Sequence, residues 1–384
     1  MAAAKDIRSF PIRLKLSEAA SSGGRIPGLD GLRALSIMIV MCGHFLVPGF
    51  GGFAAFGVYI FFAISGFLIT RLLYAELKAR GSISIRNFYL RRILRLYPVL
   101  IVYLITLLAV DAWTGEQPSY LEVSSVLFYF VNYLSTFKAM HGDQLTMQVG
   151  VLWSLSIEEH FYLMAPVFLA LVKGRLRPML WFVGLACTLP LVLRCIYVIE
   201  WPEIIGRLVT YVNSETRFDS IAFGVLLAIL AESDWGRRVI AVLSTRTAFV
   251  FGVAMIAISM AIPDAVFKET LRFSTLSFAT IPLICGTVFG EKLGMVQWVA
   301  NSRPVVWVGK LSYSLYVWHG CVIYFMTLAG LTTVGLAAGF GKLAIVFVLA
   351  SLSYTLVEQP FLRLKHIFAR VGEPRGLPAA EPVQ

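Results

Sequence analysis

The sequence predicts an all-α integral membrane protein, a polytopic bundle of about ten transmembrane helices with one short re-entrant segment. Three observations lead to this fold class: 58% of the 384 residues are hydrophobic, only 14% are charged, and the mean hydropathy is +0.78. A soluble domain needs more charge than this to cover its surface. No polar linker separates two domains between Arg25 and Phe361, so we expect one membrane domain.

Apolar runs that are long enough, or nearly so, to cross about 30 Å of hydrocarbon recur along the chain. They lie near residues 31–50, 53–75, 93–111, 121–137, 151–172, 178–200, 217–232, 246–263, 272–290, 311–331 and 338–361. The run at 121–137 is short and contains Asn132, so we expect it to enter the membrane and return on the same side. About ten spans then remain, with both termini on one side.

The Lys and Arg residues between the runs favour this topology, because both resist translocation and mark cytoplasmic loops. The chain then divides into a basic cytoplasmic tail at 1–25, a membrane domain at 26–362 and a cytoplasmic tail at 363–384. Membrane topology also explains the net charge of +11 without a nucleic-acid partner. The five cysteines fall in apolar runs without paired spacing, which indicates neither disulfides nor a metal site.

The first run carries two ionisable side chains, Arg33 and His44, and such groups inside spans are costly and often functional. His44 follows Arg33 by about three helical turns, so both lie on one face with the imidazole about 16 Å further along the axis. We interpret His44 as a general base and Arg33 as an anion-binding group at the cytoplasmic mouth. The alternative is a neutral histidine bonded to a neighbouring helix backbone.

A basic cluster precedes the third span, where Arg92 and Arg95 lie one turn apart. Two guanidinium groups at this spacing can bind phosphates bidentately. The alternative is a membrane anchor that contacts anionic lipids.

Two adjacent acids, Glu158 and Glu159, lie inside the run at 151–172, about a third of the way from its outer end. We expect one to face a polar cavity that admits an acceptor and the other to pair with an arginine such as Arg194 or Arg217. These acids are candidates for a catalytic or site-shaping role.

Two further segments carry polar groups in or beside apolar runs. Arg217 and Asp219 are expected to form a local structural ion pair. Tyr313 and His319, in the aromatic run LSYSLYVWHG, either line a tunnel for a cofactor or pack in the core.

At these residues the sequence resembles the acyltransferase-3 family of integral-membrane O-acyltransferases, over about residues 26–362. The resemblance rests on GLDGLRALSIMIVMCGHF with Arg33 and His44, FFAISGFLIT at 61–70, the Arg92 and Arg95 pair, WSLSIEEHFYL, TRFDSIAFG, SYSLYVWH and VEQP at 357–360. It implies about ten helices, acyl-coenzyme A as donor substrate, and a hydroxyl-bearing acceptor such as a glycan. The chain looks like the stand-alone form, without a fused hydrolase-like domain.

Together these observations predict an enzyme of the bacterial inner membrane that transfers an acyl group, acetyl first, to a glycan or lipid-linked saccharide. His44, Glu158 and Glu159 are the catalytic candidates, and the donor would be bound by Arg33, Arg92, Arg95, Tyr313 and His319. No metal or permanently bound cofactor is expected; membrane lipids are partners and a homo-oligomer is possible. The competing classes are a proton-coupled transporter or flippase for a polar solute, and a membrane scaffold or sensor.

Overall fold

The computed structural model describes residues 26–46, 51–331 and 335–370, and the predicted tail at 1–25 and most of that at 363–384 lie outside them. These residues form helices and connecting turns, with no β-strand among them. From the N-terminus the helices are α1 Leu29–Phe45, α2 Gly51–Arg80, α3 Ile85–Thr114, α4 Tyr120–Leu127, α5 Val131–Met140, α6 Trp153–Val172, α7 Leu176–Glu200, α8 Val209–Val212 and α9 Phe218–Leu230. They continue as α10 Asp234–Leu243, α11 Arg246–Ala261, α12 Ala265–Glu269, α13 Leu271–Phe289, α14 Gly294–Asn301, α15 Arg303–Leu328, α16 Leu336–Ser353 and α17 Gln359–Arg370.

The helices confirm an all-α membrane protein, whereas the count of about ten spans is not confirmed. Within the described ranges, six helical segments are long and apolar enough to cross a membrane: Ala54–Arg80, Ile85–Thr114, Gly150–Val172, Leu176–Glu200, Leu271–Phe289 and Leu336–Leu364. A seventh span results if α10 and α11, which meet at 67°, are counted together. Helices α1 and α9 have only 17 and 13 residues and are too short to be counted among these spans.

The short run predicted to be re-entrant forms α4 and α5, which have 8 and 10 residues. The chain breaks between them, where Tyr129 adopts a positive φ of 57°. At 1.5 Å per residue each helix is about 12–15 Å long, so neither crosses the hydrocarbon alone. Beyond α5 the chain is irregular until the 3₁₀ turn Gly150–Leu152, which leads into α6.

Helix α2 forms the centre of the bundle, where it packs against α1 and α9. Small residues allow the close approach to α9, because a Cβ on Gly66 or Gly224 would overlap a carbonyl oxygen of the opposite helix. The apolar residues of α1, α3, α6 and α15 form one buried cluster, and those of α2, α9 and α13 contribute to another. The polar side chains described next lie between these helices.

Candidate active site

One cavity in the described part of the bundle has a volume of about 670 Å³ and is lined by the predicted base, so we call it the histidine cavity. Its wall includes His44 at the end of α1 and His319 in α15. The irregular chain between α5 and α6 contributes further residues, among them Gln144 and Gln148, and Trp153 and Tyr211 add aromatic rings. Amide groups and aromatic rings together suit a hydroxyl-rich ligand.

The two imidazoles of this cavity are neighbours, with ring centroids 5.2 Å apart. His44 Nδ1 lies 2.8 Å from the Val40 carbonyl oxygen, and His319 Nδ1 bonds the Tyr316 carbonyl oxygen. A carbonyl only accepts, so Nδ1 carries the proton in each ring and each neutral Nε2 keeps its lone pair. His44 is exposed to the cavity, whereas His319 is 1% exposed.

The second cavity, the arginine pocket, has a volume of about 130 Å³. It is lined by the guanidinium-bearing residues Arg33 of α1 and Arg92 and Arg95 of α3, together with Ser65, Ser154, Glu158, Tyr162, Tyr313 and Tyr316. The Arg92 guanidinium lies 4.5 Å from the centre of the Tyr162 ring. The Arg33 side chain lies 3.8 Å from the Asp30 carboxylate. The three arginines predicted to act together therefore meet in one pocket.

One of the two acids of α6 faces a polar cavity, as expected, whereas the expected pairing of the other with Arg194 or Arg217 is not found among the described residues. Glu158 lines the arginine pocket, and its Oε2 accepts a hydrogen bond of 2.9 Å from Tyr162. Glu159 lines neither cavity, and its Oε1 is buried without a hydrogen-bond partner among the described residues. Helix α6 begins only at Trp153, beside the histidine cavity, so Glu158 lies about 7 Å further along the axis, at the level of the arginines.

The aromatic run of α15 divides between the two cavities. Tyr313 lines the arginine pocket and donates a hydrogen bond of 2.7 Å to the Leu96 carbonyl oxygen. His319, predicted to contact the donor, lines the histidine cavity beside His44. Glu358, in the π-helical turn Tyr354–Glu358, is buried and accepts a hydrogen bond of 2.8 Å from Ser314.

The predicted local ion pair between Arg217 and Asp219 is wrong. Asp219 pairs instead with Arg194 of α7 at 2.8 Å, and both side chains are fully buried. Positions i and i+2 at a helix start do not face each other, which leaves Arg217 to point elsewhere. Its guanidinium lies among the rings of Tyr59, Phe62, Trp153, Tyr211 and Phe273.

Sequence reasoning missed Glu122 of α4, which is fully buried and accepts hydrogen bonds from Lys138, Thr146 and Met147. These bonds hold the irregular chain that forms one wall of the histidine cavity. An acid in the apolar run at 121–137 was the available signal, since such a group needs buried partners.

The fold and cavities define an integral membrane protein with a polar interior, and comparison with known families gives its class. The acyltransferase-3 family, described as an acyltransferase domain, matches residues 26–357. The chain therefore belongs to this family.

Similar proteins are found in Staphylococcus aureus and Listeria monocytogenes. A protein of Staphylococcus aureus (strain COL), whose name marks it as an inferred O-acetyltransferase, is 31% identical over 358 residues, which are 88% of this chain and 57% of the relative. The peptidoglycan O-acetyltransferase OatA of Listeria monocytogenes is 28% identical, over 87% of this chain and 55% of its own length. The O-acetyltransferase OatA of Staphylococcus aureus (strain NCTC 8325) is 27% identical, over 87% and 57%. The chain spans little more than half the length of these relatives, and no solved structure matches it.

Proposed function

We propose that this protein transfers an acetyl or similar acyl group from acyl-coenzyme A to a hydroxyl of a cell-envelope glycan or lipid-linked saccharide. Membership of the acyltransferase-3 family and the names of the relatives support this reaction. The observation that carries the proposal is the environment of His44: its ring borders an open cavity, Nδ1 is held by the Val40 carbonyl, and Nε2 has no hydrogen-bond partner among the described residues.

His44 is assigned the role of general base. Its Nε2 takes the proton of the acceptor hydroxyl as the alcohol oxygen attacks the thioester carbonyl carbon. The thiolate of coenzyme A then leaves and takes this proton from the imidazolium. His319 has a similar hydrogen bond, but it is almost fully buried, which favours His44 as the group that touches the acceptor.

The arginine pocket is assigned to the donor. Arg33, Arg92 and Arg95 supply positive charge for the phosphates of coenzyme A, and the Arg92 guanidinium lies over the Tyr162 ring. A cavity of about 130 Å³ is smaller than the usual site for a whole nucleotide-sized ligand but suits a slender pantetheine arm. The nucleotide would therefore stay at the mouth of the pocket. Glu158 belongs to this donor side in the proposal, rather than to the path of the acceptor.

The two cavities suggest which side of the membrane each substrate uses. The arginine pocket lies near the basic segments of α2 and α3, which by the positive-inside rule face the cytoplasm, where acyl-coenzyme A is made. The histidine cavity would then open outwards and admit the acceptor. In this arrangement both termini are cytoplasmic, and the bacterial inner membrane is the expected location.

The test is transfer of radiolabel from acetyl-coenzyme A into the envelope glycan fraction of membranes that contain the parent protein or a variant at matched expression. His44→Ala is expected to abolish transfer, while His141→Ala, an exposed histidine outside both cavities, leaves it unchanged. Equal transfer by His44→Ala and the parent would remove His44 as the base. No transfer by the parent above empty membranes, with movement of a polar solute instead, would favour the transporter interpretation.

A further inference from the structure

The histidine cavity and the arginine pocket meet at a single side chain. Of the described residues, only Tyr316 of α15 lines both. The neighbouring residues at the start of α6 divide between the two: Val151 and Trp153 line the histidine cavity, whereas Ser154 lines the arginine pocket. Among the described residues, Tyr316 is therefore the side chain at which the space proposed for the donor meets the space proposed for the acceptor.

Two hydrogen bonds hold the Tyr316 hydroxyl in place. It donates to the Val151 carbonyl oxygen in the 3₁₀ turn before α6, and it lies 2.7 Å from Ser154 Oγ, which can donate to it. Ser154 is 7% exposed, so few other partners can replace the tyrosine there. These two bonds join α15 to the start of α6, and both depend on the phenolic oxygen of Tyr316.

A partition at this point has a chemical use. Acyl transfer requires the thioester carbonyl to meet the acceptor hydroxyl near His44, but water in a cavity that is open to solvent can attack the same carbonyl. That side reaction breaks the carbon–sulfur bond, forms a carboxylate from the water oxygen and releases the coenzyme A thiol. Exclusion of water from the donor until an acceptor is in place is a general requirement of group transfer.

We propose that Tyr316, held by Val151 and Ser154, is the partition that separates the donor pocket from the acceptor cavity and limits hydrolysis of the acyl thioester. This inference rests on the proposed function. Tyr316 acts as a positioning residue: it controls access between the two substrates and takes no proton in the transfer. The backbone carbonyl of Tyr316 also binds His319, so one turn of α15 holds both the partition and the second imidazole.

The first experiment compares release of the coenzyme A thiol with acetyl transfer in purified protein supplied with acetyl-coenzyme A, with and without an acceptor glycan. Tyr316→Phe keeps the ring but removes both hydrogen bonds, and the ratio of hydrolysis to transfer is expected to rise about tenfold. Ser154→Ala removes one bond and should give a smaller rise. Tyr324→Phe is the matched control, because Tyr324 lies in the same helix, bonds Asp111 at 3.1 Å and lines neither cavity.

A second experiment measures the partition without catalysis. Ser65→Cys places a thiol in the arginine pocket, and a membrane-impermeant thiol reagent is added from the side on which the histidine cavity opens. Labelling at this position, above that of the native cysteines, is expected only when Tyr316→Phe is also present.

The outcomes separate the two ideas. Suppose that the parent transfers acetyl and that Tyr316→Phe, with a normal melting temperature, has an unchanged ratio of hydrolysis to transfer. This result overturns the partition and leaves the proposed function standing. A parent that transfers nothing removes the proposed function, and the labelling experiment then decides the partition alone. Equal labelling of the Ser65→Cys protein with Tyr316 and with Tyr316→Phe would refute the partition.

Discussion

Replacement of Glu122 by glutamine is expected to loosen the irregular chain between α5 and α6, which forms one wall of the histidine cavity. The fully buried carboxylate accepts hydrogen bonds from Lys138 Nζ at 2.9 Å, from the Thr146 amide and hydroxyl at 2.9 and 3.1 Å, and from the Met147 amide at 2.7 Å. Glutamine keeps the shape but has one oxygen, so its NH₂ group must face one of these donors.

The magnitude follows from the bonds that are lost. A hydrogen bond to a charged group contributes about 1.5–3 kcal/mol, and a buried donor left facing another donor adds a desolvation cost, so the local opening free energy should fall by about 3 kcal/mol. Since each 1.4 kcal/mol is about tenfold, the Thr146 and Met147 amides should exchange with deuterium about a hundredfold faster. The assay is hydrogen exchange with mass spectrometry on peptides across this chain. Glu116→Gln, an exposed acid just before α4, is the control, and equal exchange in the two variants would refute the reasoning.

Two further substitutions test the bundle through the melting temperature in detergent. Asp219→Asn breaks the buried ion pair with Arg194 of α7 and should lower the free energy of unfolding by about 3–5 kcal/mol. The control Asp234→Asn, in an exposed pair of α10, should lower it by less than about 1 kcal/mol. Similar melting temperatures of the two variants would contradict a structural role for the buried pair. Gly224→Ala should destabilise by about 1–3 kcal/mol or more, because its Cβ would overlap the backbone of α2, while Gly184→Ala, with open space around it, should be neutral or stabilising. An unaffected Gly224→Ala protein would mean that α2 and α9 separate at little cost.

The fold class could be predicted because composition and apolar run length report directly on the solvent that surrounds the helices. The boundaries of several runs were also close: those predicted at 178–200 and 272–290 correspond to Leu176–Glu200 and Leu271–Phe289. Hydropathy was less informative where a helix extends beyond its apolar part. Helix α15 begins at Arg303, in a segment assigned to a loop, because backbone hydrogen bonds continue the helix regardless of side-chain polarity.

Part of the candidate site could also be predicted. Relations between residues of one helix could be inferred from the sequence, whereas contacts between residues far apart in the sequence could not. Arg33 and His44 share α1, so helical periodicity alone related them. The contact of His44 with His319 joins α1 to α15, and no local pattern specifies which helices pack together. The pairing expected for one acid of α6 with Arg194 or Arg217 failed for the same reason, since Arg194 pairs with Asp219 of α9 and Arg217 lies among aromatic rings.

Arg217 shows how a buried charge can be held without a carboxylate. In the part of the chain that the structure describes, its Nε and Nη2 atoms have no hydrogen-bond partner, while Nη1 donates to the Tyr59 hydroxyl at 2.8 Å. The ring centroids of Tyr59 and Phe273 lie 4.3 and 4.7 Å from the guanidinium carbon, and such a contact contributes about 2 kcal/mol when desolvated. Trp153 and Tyr211 also contact Arg217 and line the histidine cavity. Because the cation attracts both rings, it helps to fix the aromatic wall against which an acceptor would lie.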